Sequence, residues 1–153
     1  TLDQAREQLH QVRQDLEALT DDLHPRVLDE LGLRGALEAL VARSPVPATL
    51  TWEDGGSLGP GVEVTLYFVC SEALANVVKH AQAMRVAVRL TRGAGTVTLE
   101  VADDGRGGAQ PGDGSGLQGL RDRLTAAGGG LAIDTPVTGG TRLAATVPIV
   151  RNA

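Results

Sequence analysis

Three short stretches hold side chains whose types and spacing could manage a polyanion and a flat ring. The first is Glu72-Ala-Leu-Ala-Asn76-Val-Val-Lys79-His80. On an α-helix, positions i, i+4, i+7 and i+8 project from nearly the same side. A carboxylate, a carboxamide, an ammonium and an imidazole would then form one column along a solvent edge. Magnesium takes oxygen ligands and keeps water and phosphate for most of its shell. The Asn76 oxygen could thus be the only protein ligand, while Lys79 neutralises a phosphate. The competing reading is an ordinary hydrated helix face. The second stretch, Asp103-Asp-Gly105-Arg-Gly107-Gly108, ends an alternating run. A carboxylate there could accept an amino hydrogen of a base, and small residues let a ring approach the backbone; an Asp-Gly turn would look the same. The third, Gly114-Ser-Gly116-Leu117-Gln-Gly119-Leu120, opens a helical pattern. Unpaired N–H groups at a helix start attract anions and glycine lets phosphate come close, or the segment is a flexible cap.

These stretches need elements to position them. Residues 62–81 lack Gly and Pro and read as a helix with Leu66, Val69, Cys70, Ala73, Leu74, Val77 and Ala81 on one arc, opposite Glu72, Asn76 and Lys79. Residues 84–92 and 96–102 alternate as strands, with Val86, Val88, Leu90, Val97, Leu99 and Val101 inward. Arg92-Gly-Ala-Gly joins them as a hairpin turn. From Asp103 to Ser115 no large apolar residue occurs, so the segment reads as a mobile loop. A helix at 117–127 and strands at 131–135 and 141–148 close the chain. Upstream, Leu2, Ala5, Leu9, Val12, Leu16, Leu19 and Leu23 recur by threes and fours, a heptad seam meant for another helix or for this domain's own surface. Pro25 breaks that helix. A second short helix follows with Asp29 as its expected cap, and Ser44-Pro45-Val46-Pro47 ends it. A strand at 48–53 comes next. The order fits an α+β two-layer sandwich: a mixed sheet of about five strands with three helices on one face, preceded by an N-terminal helix.

Composition narrows the classes. The 153 residues make one domain of ordinary size with a short appendage. Nineteen acidic against fourteen basic residues give a net charge of −5, which argues against a general nucleic-acid binder. A single cysteine, Cys70, excludes an internal disulfide, and three scattered histidines make a structural zinc site a poor fit. With three aromatics, the core must be Leu, Val and Ala. No run of about eighteen apolar residues suggests a membrane span, and nothing resembles a signal peptide. The start at Thr1 suggests a piece of something longer.

In order and spacing the three stretches resemble the catalytic and ATP-binding domain of bacterial sensor histidine kinases of the nitrate-sensor subfamily, within the superfamily that holds gyrase and MutL ATPases. Glu72 to His80 resembles the N box, Asp103 to Gly107 the first glycine box, and Gly114-Ser-Gly116-Leu117 the second. Gly140-Thr141 resembles the terminal Gly-Thr element, and Leu23 to Leu33 the join to the dimerisation helices. The resemblance implies a Bergerat-type fold. It divides the chain into the second helix of an incomplete dimerisation and phosphoacceptor bundle (1–25), a connecting helix (26–47) and the catalytic ATP-binding domain (48–153). It implies ATP and Mg²⁺ as ligands, with Asn76 on the metal, Lys79 and His80 on phosphates, Asp103 on the adenine amino group and Thr141 supporting it. Gly105, Gly107, Gly116 and Leu117 would shape the lid and its hinges. Glu72 sits where related ATPases place a general base, although in this subfamily an acid beside the phosphoacceptor usually takes that part. Arg121 and Arg123 are further candidates for the γ-phosphate or for surface ion pairs. Asp104 stands where many relatives have Asn.

The implied protein is a histidine kinase passing the γ-phosphate to a histidine outside this fragment, then to an aspartate of a response regulator. His10 only superficially echoes the acceptor motif: fourteen residues separate it from His24, too few for the second helix of the bundle. The fragment alone is therefore not expected to autophosphorylate. Its expected partners are ATP, the regulator and a second copy through the N-terminal helix, with no nucleic acid and no direct membrane contact. Its expected location is cytoplasmic, including the case of a membrane-anchored sensor. The rivals are a regulatory nucleotide-binding domain or an anti-sigma-type serine kinase of the same superfamily. A dinucleotide oxidoreductase is disfavoured. Gly114-x-Gly116-x-x-Gly119 with Asp134 about twenty residues on matches that fingerprint, but its tight turn must follow a strand directly. Here a long glycine-rich loop intervenes after Asp103, and the remainder is too short for a second βαβ unit.

Overall fold

The computed structural model describes residues 1–21, 25–53, 56–107 and 115–149, with the backbone alone for 14–21 and 115. The inward residues of the alternating runs build a five-stranded sheet in the order β1-β2-β3-β5-β4. β1 (Ala48–Glu53) pairs parallel with β2 (Val86–Arg92). β3 (Thr96–Asp103) runs antiparallel to β2 and to β5 (Arg142–Pro148), which pairs antiparallel with β4 (Gly130–Asp134). The sheet is thus mixed, and α2 (Arg26–Arg43), α3 (Pro60–Asn76) and α4 (Ser115–Ala126) cover one face of it. This is the α+β sandwich that the sequence order fits. Every residue of the inward arc on 62–81 is buried, and Val86, Val88, Leu90, Val97, Leu99, Val101, Leu143, Ala145 and Val147 face it from the sheet. The core is Leu, Val and Ala, as the scarcity of aromatics requires. Pro60–Ala81 is long and apolar enough to cross a membrane by length and composition, yet here its apolar arc packs on the sheet.

The ends of the helices depart from the sequence reading in two places. Asp29 does not cap α2: the position before the helix is Pro25, whose fixed φ of −59° leads directly into the first turn, and Asp29 lies inside. Gly32, at φ 69° and ψ 176°, then breaks the helix internally. The kink turns Leu28 and Leu33 inward together and leaves Leu31 exposed. The second departure is at residue 77. The α-helical turns of α3 end at Asn76, and Val77–Ala81 form a wider π turn, closed by Gln82 in a left-handed conformation. α1 (Leu2–Asp21) carries Leu2, Leu9 and Val12 exposed, so that part of the heptad seam is not spent on this domain. Leu23 and His24 lie outside the described residues, as does 108–114 of the glycine-rich loop.

Candidate functional site

The site forms where one end of the sheet meets the end of α3 and the start of α4. Register puts Val86 opposite Asp103, and Arg142 opposite both Ala102 and Asp134, so the last residue of β3 and the entry to β5 share that end. The Asp103 N–H donates to the Thr141 carbonyl at 2.9 Å, extending the ladder one step further. Two glycines make the junction possible. Gly140 has φ 82°, and a Cβ there would run into the carbonyl oxygen of Asp103. Gly105 lies so close to Ala81 that a Cβ would overlap that carbonyl, while the next N–H, of Arg106, donates to the same oxygen at 2.8 Å. The turn after β3 is therefore clamped between the π turn and the β4–β5 connection. Asp103 stabilises its own turn, with Oδ1 accepting from the Gly105 N–H at 2.8 Å.

Between these segments lies a cavity of about 310 Å³, a size suited to a small-molecule ligand. Its walls are Ala73, Val77, Ala81, Val101, Leu117, Ile133 and Leu143, with Gly107 at one side. Asn76, His80, Asp103, Arg106 and Thr141 supply the polar groups. An apolar slot with one carboxylate, one hydroxyl and one carboxamide can hold a flat heterocycle by its faces and read its edge. A carboxylate offers about four acceptor sites, so the bond to Gly105 leaves Asp103 capacity for a ligand donor.

Of the residues singled out in the sequence, the structure gathers Asn76, His80, Asp103, Gly107, Leu117 and Thr141 around this cavity, with Gly105 one step behind. Glu72 is not on its wall. Its carboxylate lies against Gly116, where a Cβ would collide with Oε1, which sets a negative group beside the first turn of α4. Lys79 lines a separate groove with Leu40, Arg43, Pro45, Leu74 and Val78. The π turn is the physical reason. Its wider winding advances each residue through a smaller angle, so His80 and Ala81 stay with Asn76 while Lys79 rotates off the column. Arg123 stacks on the Phe68 ring, 4.3 Å from its centroid, and Phe68 meets Tyr67 edge-on; this is a contact between α4 and α3, not a cavity wall. Gly114 lies outside the described residues.

Two residues were missed. Arg106 lines the cavity, but an arginine inside an Asp-Gly turn reads as surface. Asp104 has a structural part: its Oδ1 accepts from the N–H groups of Met84 and Arg85 at 2.8 and 2.9 Å, tying the entry of β2 to the exit of β3. The Arg85 N–H bond, with that from Met84 and the Arg85 charge, holds the Asp104 carboxyl below its ordinary range. A carboxylate with a lowered pKa stabilises the fold above the unfolded-state value and loses that contribution as pH falls through the folded one. The Asp104→Asn variant should melt below the parent chain at pH 7. Thermal melts across pH should show the gap closing below about pH 4; a gap unchanged down to pH 2 would contradict this part for Asp104.

Residues 61–151 match the family described as histidine kinase-, DNA gyrase B-, and HSP90-like ATPase. Among curated proteins, the chain is 37% identical over 135 residues to the signal transduction histidine-protein kinase/phosphatase UhpB of Salmonella typhimurium, covering 82% of this chain and 26% of that protein. It is 32% identical over 153 residues to the sensor histidine kinase NarS of Mycobacterium tuberculosis, covering 94% and 36%. The chain thus spans about a quarter to a third of these relatives' lengths. Among solved structures, the histidine kinase domain of the blue-light activated histidine kinase EL346 from Erythrobacter litoralis superposes with a TM-score of 0.64 at 22% identity, covering 77% of this chain and 59% of that one. The fold is shared with it.

Proposed function

The chain belongs to the histidine kinase-, DNA gyrase B-, and HSP90-like ATPase family, and we propose from that premise that it is the ATP-binding catalytic domain of a two-component sensor histidine kinase. The observation that carries the reading is the meeting of Asn76, Asp103 and Thr141 around one apolar cavity. The purine occupies the slot between Val101, Leu143 and Ile133 on one side and Val77 and Ala81 on the other. Asp103 accepts the amino hydrogen, supported by Thr141. The phosphates leave toward Asn76, His80 and the start of α4, where Gly116 and Leu117 let them approach the backbone.

The donor set suits a magnesium ion held mainly by its substrate. No group of three or more His, Cys, Asp or Glu that could hold a metal occurs among the described residues, whereas Asn76 offers one carboxamide oxygen at the cavity. Mg²⁺ bound there would neutralise charge on the phosphates. The chain's own residues orient the nucleotide and exclude water from its base. Glu72 favours an order-keeping contact at α4 over general-base work, since it sits off the cavity wall.

The γ-phosphate goes to a histidine outside residues 1–153 and onward to a response-regulator aspartate. The exposed Leu2, Leu9 and Val12 stripe of α1 supports pairing with a second copy. On this reading residues 1–25, 26–47 and 48–153 are the bundle helix, the connector and the catalytic domain, working in the cytoplasm. The oxidoreductase alternative is disfavoured. Its fingerprint needs a turn directly between a strand and a helix, and here β3 ends at Asp103 and α4 begins at Ser115, with the flanking strands β3 and β5 antiparallel.

Isothermal titration tests the reading. A non-hydrolysable ATP analogue should bind one site per chain, and more tightly with Mg²⁺ than with a chelator. Binding of NADH in its place would overturn it.

A further inference from the structure

We propose that Arg106 is the cavity's cationic clamp on the polyphosphate, an assignment that rests on the nucleotide site above. Among the described residues lining the cavity, Arg106 is the one arginine or lysine. Lys79, the ammonium on the same helix end, faces the groove beside α2. The need for a cation is physical. The chain carries a net charge of −5, and Asp103 adds a carboxylate at the cavity itself, so an incoming triphosphate meets an unfavourable field unless a positive group stands at the mouth.

The placement suits that task. The polyphosphate cannot lie among Val77, Val101 and Leu143 without losing its hydration uncompensated; it must follow the polar rim. Arg106 lines the cavity and is exposed, so its own charge stays hydrated before binding. Its backbone is fixed by the N–H bond to the Ala81 carbonyl at 2.8 Å, between Gly105 pressed on Ala81 and Gly107 against the Gly140 carbonyl. A pinned Cα with a long stem puts a guanidinium fork within a limited arc of the rim, and that fork matches phosphate oxygens in pairs. The same anchoring through main chain predicts that the side chain can be changed without loss of the fold.

The test compares ATP analogue, ADP and adenosine by titration calorimetry on the full chain and on Arg106→Ala and Arg106→Lys, each checked by thermal melt. Arg106→Ala should weaken the ATP analogue roughly tenfold or more and leave adenosine within about twofold, because a charge-assisted phosphate contact is lost and base contacts are kept. Arg106→Lys should recover part of the ATP affinity, since it keeps charge without the fork. Added salt should narrow the gap between parent and Arg106→Ala. Equal weakening of ATP and adenosine, or weakening of neither, would overturn the clamp while leaving the nucleotide site standing. A parent chain that binds none of the three compounds would overturn the site and the clamp together.

Discussion

Asp103→Ala should lower the affinity for an ATP analogue by about 10- to 150-fold, with a much smaller effect on the melting temperature. A hydrogen bond to a charged group contributes about 1.5–3 kcal/mol when its loss leaves a partner unsatisfied, and each 1.4 kcal/mol is about tenfold in binding. On the proposed reading the partner is the base amino group, placed among the aliphatic walls of the cavity. Among the described residues the fold loses the bond from the Gly105 N–H to Oδ1 and keeps the ladder contact from the Asp103 N–H to Thr141, which belongs to the backbone. Selectivity should fall with affinity. In the parent chain GTP, which presents an oxygen where ATP presents the amino group, should be rejected, because a site built to accept a hydrogen bond leaves its acceptor unpaired against the wrong base. Competition between ATP and GTP analogues in parent and variant checks both statements. Undiminished ATP affinity in Asp103→Ala would remove Asp103 from the site.

Asn76→Ala should separate nucleotide binding from its metal dependence. Without Mg²⁺ the variant and the parent chain should bind the ATP analogue alike, within a fewfold. With Mg²⁺ the parent should gain affinity and the variant should not, because on the proposed reading the Asn76 carboxamide oxygen holds the ion while Asp103 and Thr141 serve the base. Fused to a bundle that supplies the acceptor histidine, the variant should transfer phosphate on the order of 100-fold more slowly, given that even outer-shell partners of metal sites change affinity or activity about 10–100-fold. Titration with and without a chelator reads the first effect, and labelling with radioactive ATP the second. Normal labelling by Asn76→Ala would rule out the metal assignment.

The parts of this protein that obey a short-range period were legible in its sequence. The inward arc from Leu66 to Ala81 follows a helical period, and the strands at 86–92 and 96–103 alternate with buried valines and leucines. The residues around the cavity could be named because their types suit a nucleotide and because their order resembles a known family. What escaped depends on geometry that a period does not encode. Val77 and Ala81 stand four apart, which fits a turn of α-helix and a turn of π-helix equally, so the swing of Lys79 away from Asn76 left no trace in the pattern. A lone glycine inside a helical pattern is ordinarily tolerated, and nothing in the period of residues 26–43 marks Gly32 as the position whose positive φ kinks α2. Asp104 bonds backbone groups 19 and 20 residues away, a long-range pairing that only the antiparallel register of β2 and β3 creates. Arg106 became informative only once the turn around it was seen clamped on Ala81.

One purine nucleotide should touch Asp103 and Asn76 at the same time. A crystal structure of the chain with a non-hydrolysable ATP analogue and Mg²⁺ tests it most directly. The base amino group should lie within hydrogen-bond reach of the Asp103 carboxylate, and the ion on the Asn76 oxygen. A nucleotide seated instead in the groove beside Lys79, or reaching only one of the two side chains, would contradict it.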